Sequence, residues 1–268
     1  GTHLARAGNF GQRLFMQWFV VTMASLSAGF VDAIVGGGGL ILVPALFSTF
    51  PAAVPATLFG TNKSASVWGT GFATWQFNRR VQMRWAAMLP AAFCGLAGSF
   101  TGAWAVTQVA PTYLRKALPF VLLAILLYTF VKKDLGQHHQ PRWIGRQETL
   151  VACAIGTGIG LYDGFFGPGT GSFLVFLFVR VLGYDFLNAS AGAKLVNVFT
   201  NLAAIILFAS KGHVWWQLGL MMAVANVAGS WMGSRLALRH GAGFVRWAFI
   251  IVVALLIAKT GHDAFVAR

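Results

Sequence analysis

Residues 29–39 read GFVDAIVGGGG, an apolar stretch that contains one acid, Asp32, and ends in four glycines. Residues 160–170 read GLYDGFFGPGT and align with the first stretch at an offset of 131 residues, from 29 to 160. The same offset, without a gap, places Lys63 on Lys194. One constant offset across Asp, Gly and Lys is hard to obtain by chance, even among apolar segments. The sequence therefore predicts two homologous halves.

The match between the halves extends beyond the glycine-rich stretches. At the same offset the paired positions are Trp85 with Trp216, residues 97–99 (AGS) with 228–230, Gly102 with Gly233, and Arg115 with Arg246. Polar, aromatic and charged residues recur together with the apolar ones, so the repeat is more than a shared hydropathy pattern.

Each half divides into five apolar segments. In the first half they are 14–35, 39–49, 56–77, 85–108 and 114–131; in the second they are 148–166, 170–182, 187–209, 214–237 and 244–260. Segments of about 20 apolar residues match the hydrocarbon core of a bilayer. We therefore predict an all-α polytopic membrane protein built from two five-segment repeats. The first transmembrane repeat is 14–131, a polar linker follows at 132–147, and the second transmembrane repeat is 148–262.

The composition is typical of a membrane protein. Of the 268 residues, 57% are hydrophobic and 10% are charged, whereas about a quarter are charged in a soluble domain. The net charge of +14 comes from bases that lie mostly between apolar segments, as in cytoplasmic loops. The bilayer is therefore an expected partner and nucleic acid is not. Cys94 and Cys153 lie inside apolar segments without a CxxC spacing, so we expect no metal and no cofactor.

The second segment of each half is too short to cross a bilayer upright at 1.5 Å per residue. It either crosses with a tilt or forms, with the segment before it, a re-entrant pair broken at the glycine-rich turn. Both arrangements return the chain to its starting side, so the second half is inserted upside down, as in inverted-repeat transporters. The side with more Lys and Arg is then cytoplasmic. Merging each short segment with its neighbour would instead give eight crossings and a parallel repeat.

The two glycine-rich turns are candidates for a binding site. Interrupted helices expose backbone groups that lipid cannot satisfy, so such breaks line cavities or are buried in protein. The helix after each break begins near Gly38 and Gly39, or near Gly169 and Thr170, and its N-terminus favours an anion. We predict that these four residues contact a small anionic substrate. Close packing of helices on the glycines is the alternative role.

Lys63 and Lys194 occupy matching positions, each about two turns into a helix. A lysine within a membrane helix is a functional candidate because burying its charge is costly. Its ammonium would add positive charge to an anion site. The alternative is that the side chain extends along its helix to the interface.

Polar residues accompany each lysine on one helical face. In the first half they are Asn62, Ser66 and Thr70; in the second, Asn197 and Asn201 match Ser66 and Thr70. These groups are predicted to bind substrate together with the lysines, or alternatively to form hydrogen bonds between helices.

Asp32 and Asp163 are the remaining charged candidates, each 31 residues before the lysine of its half, Lys63 or Lys194. Three roles are open for them. A buried carboxylate can carry a proton because burial favours its neutral form. It can instead pair with the lysine of its own half, or accept hydrogen bonds from the glycine-rich turn. We assign both as coupling or structural acids.

The motifs quoted above resemble those of the TauE/SafE sulfite exporter family, also called the 4-toluene sulfonate uptake permease family, and especially its YfcA-like branch. The matching stretches are GFVDAIVGGGGL at 29–40, GTNK at 60–63, YDGFFGPGTGSF at 162–173 and AKLVN at 193–197. The resemblance covers nearly the whole chain in order. It implies a secondary transporter for small sulfur-containing anions such as sulfite, sulfoacetate, thiosulfate or sulfonates, coupled to an ion gradient.

The sequence thus predicts an alternating-access anion transporter of the cell inner membrane. A passive anion channel and a non-transporting membrane scaffold are the alternatives, and a homodimer is compatible with the pattern. The chain lacks GxSxG, HExxH and a pair of clustered carboxylates, so no catalytic residue and no enzyme activity are expected.

Overall fold

The structure is a computed structural model that describes residues 2–131 and 139–240. Within those ranges the chain forms helices joined by short connections, and no strand is present there. Two predictions fall outside the described residues: the fifth apolar segment of the second half, at 244–260, and linker residues 132–138. The division into repeats at 14–131 and 148–262 therefore stays a prediction.

The helices follow the predicted apolar segments closely. In the first half they are α1 (Thr2–Val35), α2 (Gly39–Thr49), α3 (Pro55–Asn78), α4 (Trp85–Val106) and α5 (Pro111–Val131). The described part of the second half contains α6 (Arg146–Phe165), α7 (Thr170–Leu177), α8 (Phe186–Ser210) and α9 (216–240), with a π-helical turn, Phe178–Leu182, extending α7. Agreement is within three residues except at the start of α1, where the helix continues through the polar residues before residue 14. The agreement arises because Gly, Pro and polar residues interrupt the apolar runs.

Three of the described helices are long and apolar enough to span a membrane. They cover Leu14–Val35, Trp85–Val106 and Phe186–Ser210, while Gly39–Thr49 and Thr170–Leu182 are shorter apolar helices. Helix α3 is 24 residues long, but its buried polar side chains lower its hydropathy. These lengths and compositions fit an integral membrane protein.

The glycine-rich turns reverse the chain between α1 and α2 and between α6 and α7. Gly36 has a φ of +76° and Gly167 a φ of +87°, a left-handed conformation that glycine adopts without steric cost. After the first turn α2 runs back beside α1, and the carbonyl of its last residue, Thr49, accepts a hydrogen bond from the Gln17 side-chain amide at 3.3 Å. After the second turn the chain likewise returns to the start of α6.

The return of the chain to the start of α6 is marked by a buried polar contact. The Tyr184 hydroxyl, which follows the π-helical turn, donates a hydrogen bond to Glu148 in the first turn of α6. Glu148 also pairs with Arg84 at 2.5 Å. Glu148 and Gln17 occupy matching positions of the two halves. In each half, the residue at this position therefore contacts the chain that returns after the glycine-rich turn.

Helices α4 and α6 pack with their backbones in direct contact. A Cβ atom added at Gly98 would collide with the Thr157 carbonyl, and one added at Gly160 would collide with the Gly95 carbonyl. Small residues are typical of such close helix contacts in membranes. The glycines therefore set how closely the first half packs against the second.

Helices α1 and α9 form the reciprocal contact. A Cβ atom at Gly29 would collide with the Asn226 carbonyl, and one at Gly229 with the Leu26 carbonyl. At the offset of 131, these four residues match the α4–α6 positions described above, with the halves exchanged. A pair of hydrogen bonds shows the same relation with the halves exchanged. The Ser99 hydroxyl donates to the Thr200 carbonyl at 2.7 Å. The matching Ser230 hydroxyl donates to the Gly69 carbonyl at 2.6 Å.

Candidate functional site

The two glycine-rich breaks touch each other at the centre of the described helices. The Ser172 amide donates to the Gly36 carbonyl at 3.0 Å, and the Ser172 hydroxyl donates to the Val35 carbonyl at 2.9 Å. A Cβ atom at Gly171 would lie 2.6 Å from the Gly36 Cα atom. Glycine is therefore required on both sides of this contact, because any side chain would force the breaks apart.

A small polar cavity lies where the breaks meet α3 and α8. Its volume is about 20 Å³, which is room for one water molecule. It is lined by Asp32, Gly36, Gly39, Asn62, Lys63, Ser66, Thr70, Asp163, Gly167, Gly169, Thr170, Gly171, Asn197 and Asn201. A larger anion therefore requires the helices that form the wall to separate.

An ion pair between the halves lies in this cavity. The Lys63 Nζ atom is 2.5 Å from the Asp163 Oδ1 atom, and both side chains are almost completely buried. The Thr170 hydroxyl donates to the same oxygen at 2.7 Å. Lys63 comes from α3 in the first half and Asp163 from α6 in the second. The interpretation that Asp163 pairs with the lysine of its own half is therefore wrong.

Gly167 provides the space for the Lys63 ammonium. A Cβ atom at this position would lie 3.1 Å from the Lys63 Nζ atom, which is closer than ordinary van der Waals contact. The left-handed φ of Gly167 turns the chain between α6 and α7, and its missing side chain admits the ammonium. The second break thus shapes the surroundings of a lysine from the other half.

Asp32 is held by the first break and by α3. Its Oδ1 atom accepts the Gly38 amide at 3.3 Å, and its Oδ2 atom accepts the Thr70 hydroxyl at 3.0 Å. The interpretation that this carboxylate accepts hydrogen bonds from the glycine-rich turn agrees with these contacts. Gly38 thus supports the cavity through Asp32.

Lys194 lies behind the cavity lining. Its Nζ atom donates to the Asp32 carbonyl oxygen at 3.3 Å and lies 4.6 Å from the centre of the Phe77 ring. The side chain is 3% exposed, so it does not extend to the membrane interface. An ammonium over an aromatic face is attracted by the ring quadrupole. Lys194 therefore places an ammonium near Asp32 of the other half, as Lys63 does at Asp163. The two arrangements differ, because Lys63 contacts the carboxylate and Lys194 contacts the backbone carbonyl.

The polar residues predicted on α3 and α8 face one another across the cavity. Asn62, Thr70 and Asn201 are each less than 5% exposed, and Ser66 and Asn197 also line the cavity. Amides and hydroxyls can donate hydrogen bonds to oxyanions without adding charge.

Two buried oxygens of the lining have no hydrogen-bond partner among the described residues: Asn62 Oδ1 and Asp163 Oδ2. An unsatisfied buried acceptor is costly, and functional sites are common places to find one. Both oxygens can accept a hydrogen bond from a donor group that enters the cavity, and the Asp163 carboxylate oxygen can also accept a proton.

Three lining residues were missing from the predicted set: Gly36, Gly167 and Gly171. They belong to the glycine-rich stretches, and the presence of glycine at each turn is the feature of the sequence that could have identified them. From these stretches we predicted only the residues at the starts of the following helices as site residues. Gly39 and Thr170, which begin α2 and α7, do line the cavity, so the two helix N-termini point at one place.

Comparisons with known proteins indicate a membrane transporter. The family profile described as “Sulfite exporter TauE/SafE” matches residues 21–260. The chain is 39% identical over 240 residues to “Probable membrane transporter protein ORF9” of Sinorhizobium sp., covering 88% of this chain and 89% of the relative. It is 37% identical over 246 residues to “Probable membrane transporter protein YfcA” of Escherichia coli strain K12, covering 91% and 90%. No solved structure matches the chain.

Proposed function

This chain belongs to the sulfite exporter TauE/SafE family, and on that premise we propose that it is a secondary transporter of small sulfur-containing anions. The family and the relatives indicate a membrane transporter rather than an enzyme. The proposed substrates are sulfite, sulfoacetate, thiosulfate or a sulfonate, and the proposed location is the cell inner membrane. Transport is coupled to an ion gradient and proceeds by alternating access.

The observation that supports this proposal most is the buried Lys63 ammonium at the meeting point of the two breaks. A positive charge inside a membrane protein marks a substrate or ion path. The N-termini of α2 and α7, at Gly39 and Thr170, add partial positive charge at the same cavity. The surrounding amides and hydroxyls provide donors for the oxygens of a sulfur oxyanion.

The proposed halves are inverted repeats, each with a re-entrant helix pair. The Gln17–Thr49 and Glu148–Tyr184 contacts support this proposal, because they place the end of each short helix beside the start of the preceding apolar segment, 14–35 or 148–166. Each pair then adds no net crossing, and three further segments per half, of which 244–260 in the second half is a prediction from the sequence, give an odd number. The reciprocal α4–α6 and α1–α9 contacts support a pseudo-two-fold relation between the halves. Rocking of one half against the other would open the cavity to alternate sides.

Uptake by purified protein in proteoliposomes tests the proposal. Radiolabelled sulfite, sulfoacetate, thiosulfate and methanesulfonate are supplied to wild type, Lys63→Ala, Lys194→Ala and the control Lys116→Ala, which removes an exposed lysine. Loss of a charge-assisted hydrogen bond predicts uptake lowered about 10- to 100-fold in Lys63→Ala. Lys116→Ala retains wild-type uptake. Wild-type rates in both cavity-region variants would overturn the site assignment.

Flux measurements separate a transporter from a channel. A secondary transporter shows saturable uptake and exchange between labelled and unlabelled anion across the membrane. Flux far above transporter turnover, without dependence on an ion gradient, would contradict the proposal and favour a channel. Absence of flux for all four anions would favour a scaffold.

A further inference from the structure

The ionisable groups around the cavity balance in charge. Lys63 and Lys194 are positive, and Asp32 and Asp163 are negative, with three of the four nearly completely buried. Adding a monovalent anion would leave one negative charge without a partner in a low-dielectric site, which is strongly unfavourable. A positive charge must therefore enter with the anion.

Asp163 has a carboxylate oxygen that can accept a proton as this positive charge, because that oxygen is not engaged by another group of the described residues. Its Oδ1 atom contacts Lys63 and Thr170, while its Oδ2 atom is buried without a partner among the described residues. Addition of a proton to Oδ2 breaks no existing hydrogen bond. It also converts an unsatisfied acceptor into a donor, in a cavity where Asn62 Oδ1 lacks one.

We propose that Asp163 carries the coupling proton, and that the anion and the Asp163 carboxylate alternate as the partner of Lys63. This inference rests on the anion transport proposed above. A proton from the solution on the open side forms an O–H bond with Asp163 Oδ2, and the neutral acid no longer balances the Lys63 ammonium. The anion then pairs with Lys63, which stays protonated throughout.

Release reverses these steps on the opposite side of the membrane. The anion leaves, the proton leaves Oδ2, and the Lys63–Asp163 ion pair forms again. One monovalent anion and one proton cross together, so the cavity keeps its charge balance and no net charge moves. The occupied cavity then has the same net charge as the empty one.

Asp32 is a poor carrier although it matches Asp163 in the repeat. Both of its carboxylate oxygens accept hydrogen bonds, from Gly38 and from Thr70. Protonation of either oxygen would weaken these bonds, because a neutral carboxyl group is a weaker acceptor than a carboxylate, and would loosen the first glycine-rich turn. The Lys194 ammonium also lies near this residue, 3.3 Å from the Asp32 backbone carbonyl oxygen.

The groups that face Asp163 from its neighbouring helices are consistent with this role. Helix α3 contributes Lys63, and α7 contributes the Thr170 hydroxyl. On α6 itself, the Tyr162 hydroxyl donates to the Pro168 carbonyl at 2.6 Å. From α4, Ser99 is uncharged and its hydroxyl donates to a backbone carbonyl. The charges of α1 and α8, on Asp32 and Lys194, lie near each other.

The test measures proton movement together with methanesulfonate uptake in proteoliposomes that contain a pH-sensitive dye. Methanesulfonate is monovalent and does not titrate near neutral pH. Wild type is expected to acidify the lumen by one proton per anion, without sodium. When the outside is about 1 pH unit more acidic than the lumen, methanesulfonate should accumulate in the lumen up to about tenfold. This stoichiometry tests the proposal without any variant.

Asp163→Asn imitates the protonated acid and cannot release a proton. It is expected to lose proton movement and accumulation above equilibrium, while labelled methanesulfonate still exchanges with unlabelled anion. Asp32→Asn is the matched control at the equivalent position, and its residual uptake is expected to keep one proton per anion.

Several outcomes would overturn the proton assignment. They are uptake driven by sodium, uptake without lumen acidification, and proton-driven accumulation that persists in Asp163→Asn. Failure of wild type to move methanesulfonate would also overturn it, since a monovalent anion is central to the charge argument. Uptake of sulfite, sulfoacetate or thiosulfate in that case would leave the proposed function intact.

Discussion

The two buried lysines contact residues from the opposite half of the chain. Lys63 pairs with Asp163, and Lys194 contacts the backbone of Asp32. The identities of these residues could be predicted, because charged residues in apolar helices stand out. Which acid pairs with which lysine could not be predicted. Each acid lies at the same sequence distance from the lysine of its own half, and this spacing carries no information about contacts between the halves. The ring of Phe77 under Lys194 likewise arises from folding and leaves no local signal.

Tyr184 gives a pH-dependent prediction outside the membrane-spanning helices. Burial, together with its hydrogen bond to Glu148, raises the pKa of Tyr184 above its ordinary value of 10. Above that value the unfolded chain binds fewer protons at this residue than the folded chain, so stability falls as pH rises. Below it, Tyr184 contributes no pH dependence.

Thermal unfolding in detergent across alkaline pH measures this effect. Wild type is expected to lose more stability above about pH 10 than Tyr184→Phe, whose residue does not titrate. Tyr113→Phe is the control, because Tyr113 is 70% exposed and its removal should leave the wild-type curve unchanged. Parallel curves for wild type and Tyr184→Phe would contradict the expectation.

At the scale of helices, the sequence predicted most boundaries because the physical signals are local. Apolar runs end where Gly, Pro or charged residues follow, as at Gly36–Gly39 and at Pro55. The close approach of α4 to α6 was harder to predict. Glycines such as Gly98 and Gly160 occur in pairs across helices, and only the folded chain shows which glycines face each other.

Gly160→Ala tests the close packing of α6 on α4. The added Cβ atom would collide with the Gly95 carbonyl, and the helices must separate to admit it. Overpacking of this kind destabilises by about 1–3 kcal/mol, measured as a lower free energy of unfolding in detergent. Gly158→Ala is the matched control in the same helix, because its added Cβ atom would meet nothing within 4 Å.

The control also has an expected sign. Replacing an exposed helical glycine by alanine stabilises a helix by about 0.5–1 kcal/mol, so Gly158→Ala should be neutral or slightly more stable. Equal destabilisation by both substitutions would show that helix α6 is sensitive to any added methyl group, and that the α4 contact is not the cause.

For the whole molecule, the relative orientation of the halves has a direct test. Arg80 and Lys211 are exposed and occupy matching positions after α3 and α8. In an inverted repeat they lie on opposite sides of the membrane; in a parallel repeat they lie on the same side. Arg80→Cys and Lys211→Cys, in a chain without Cys94 and Cys153, should react with an impermeant thiol reagent from opposite sides. Labelling of both from one side would contradict inversion.

For the molecule as a whole, we predict that both breaks, Lys63 and the polar faces of α3 and α8 form one anion site. The most direct measurement is anomalous diffraction from crystals prepared with selenite, at a concentration that competes with sulfite uptake. We expect a selenium peak within hydrogen-bond distance of the Lys63 Nζ atom, between Gly39 and Thr170. Competition by selenite with a peak elsewhere, or without any peak at this cavity, would contradict it.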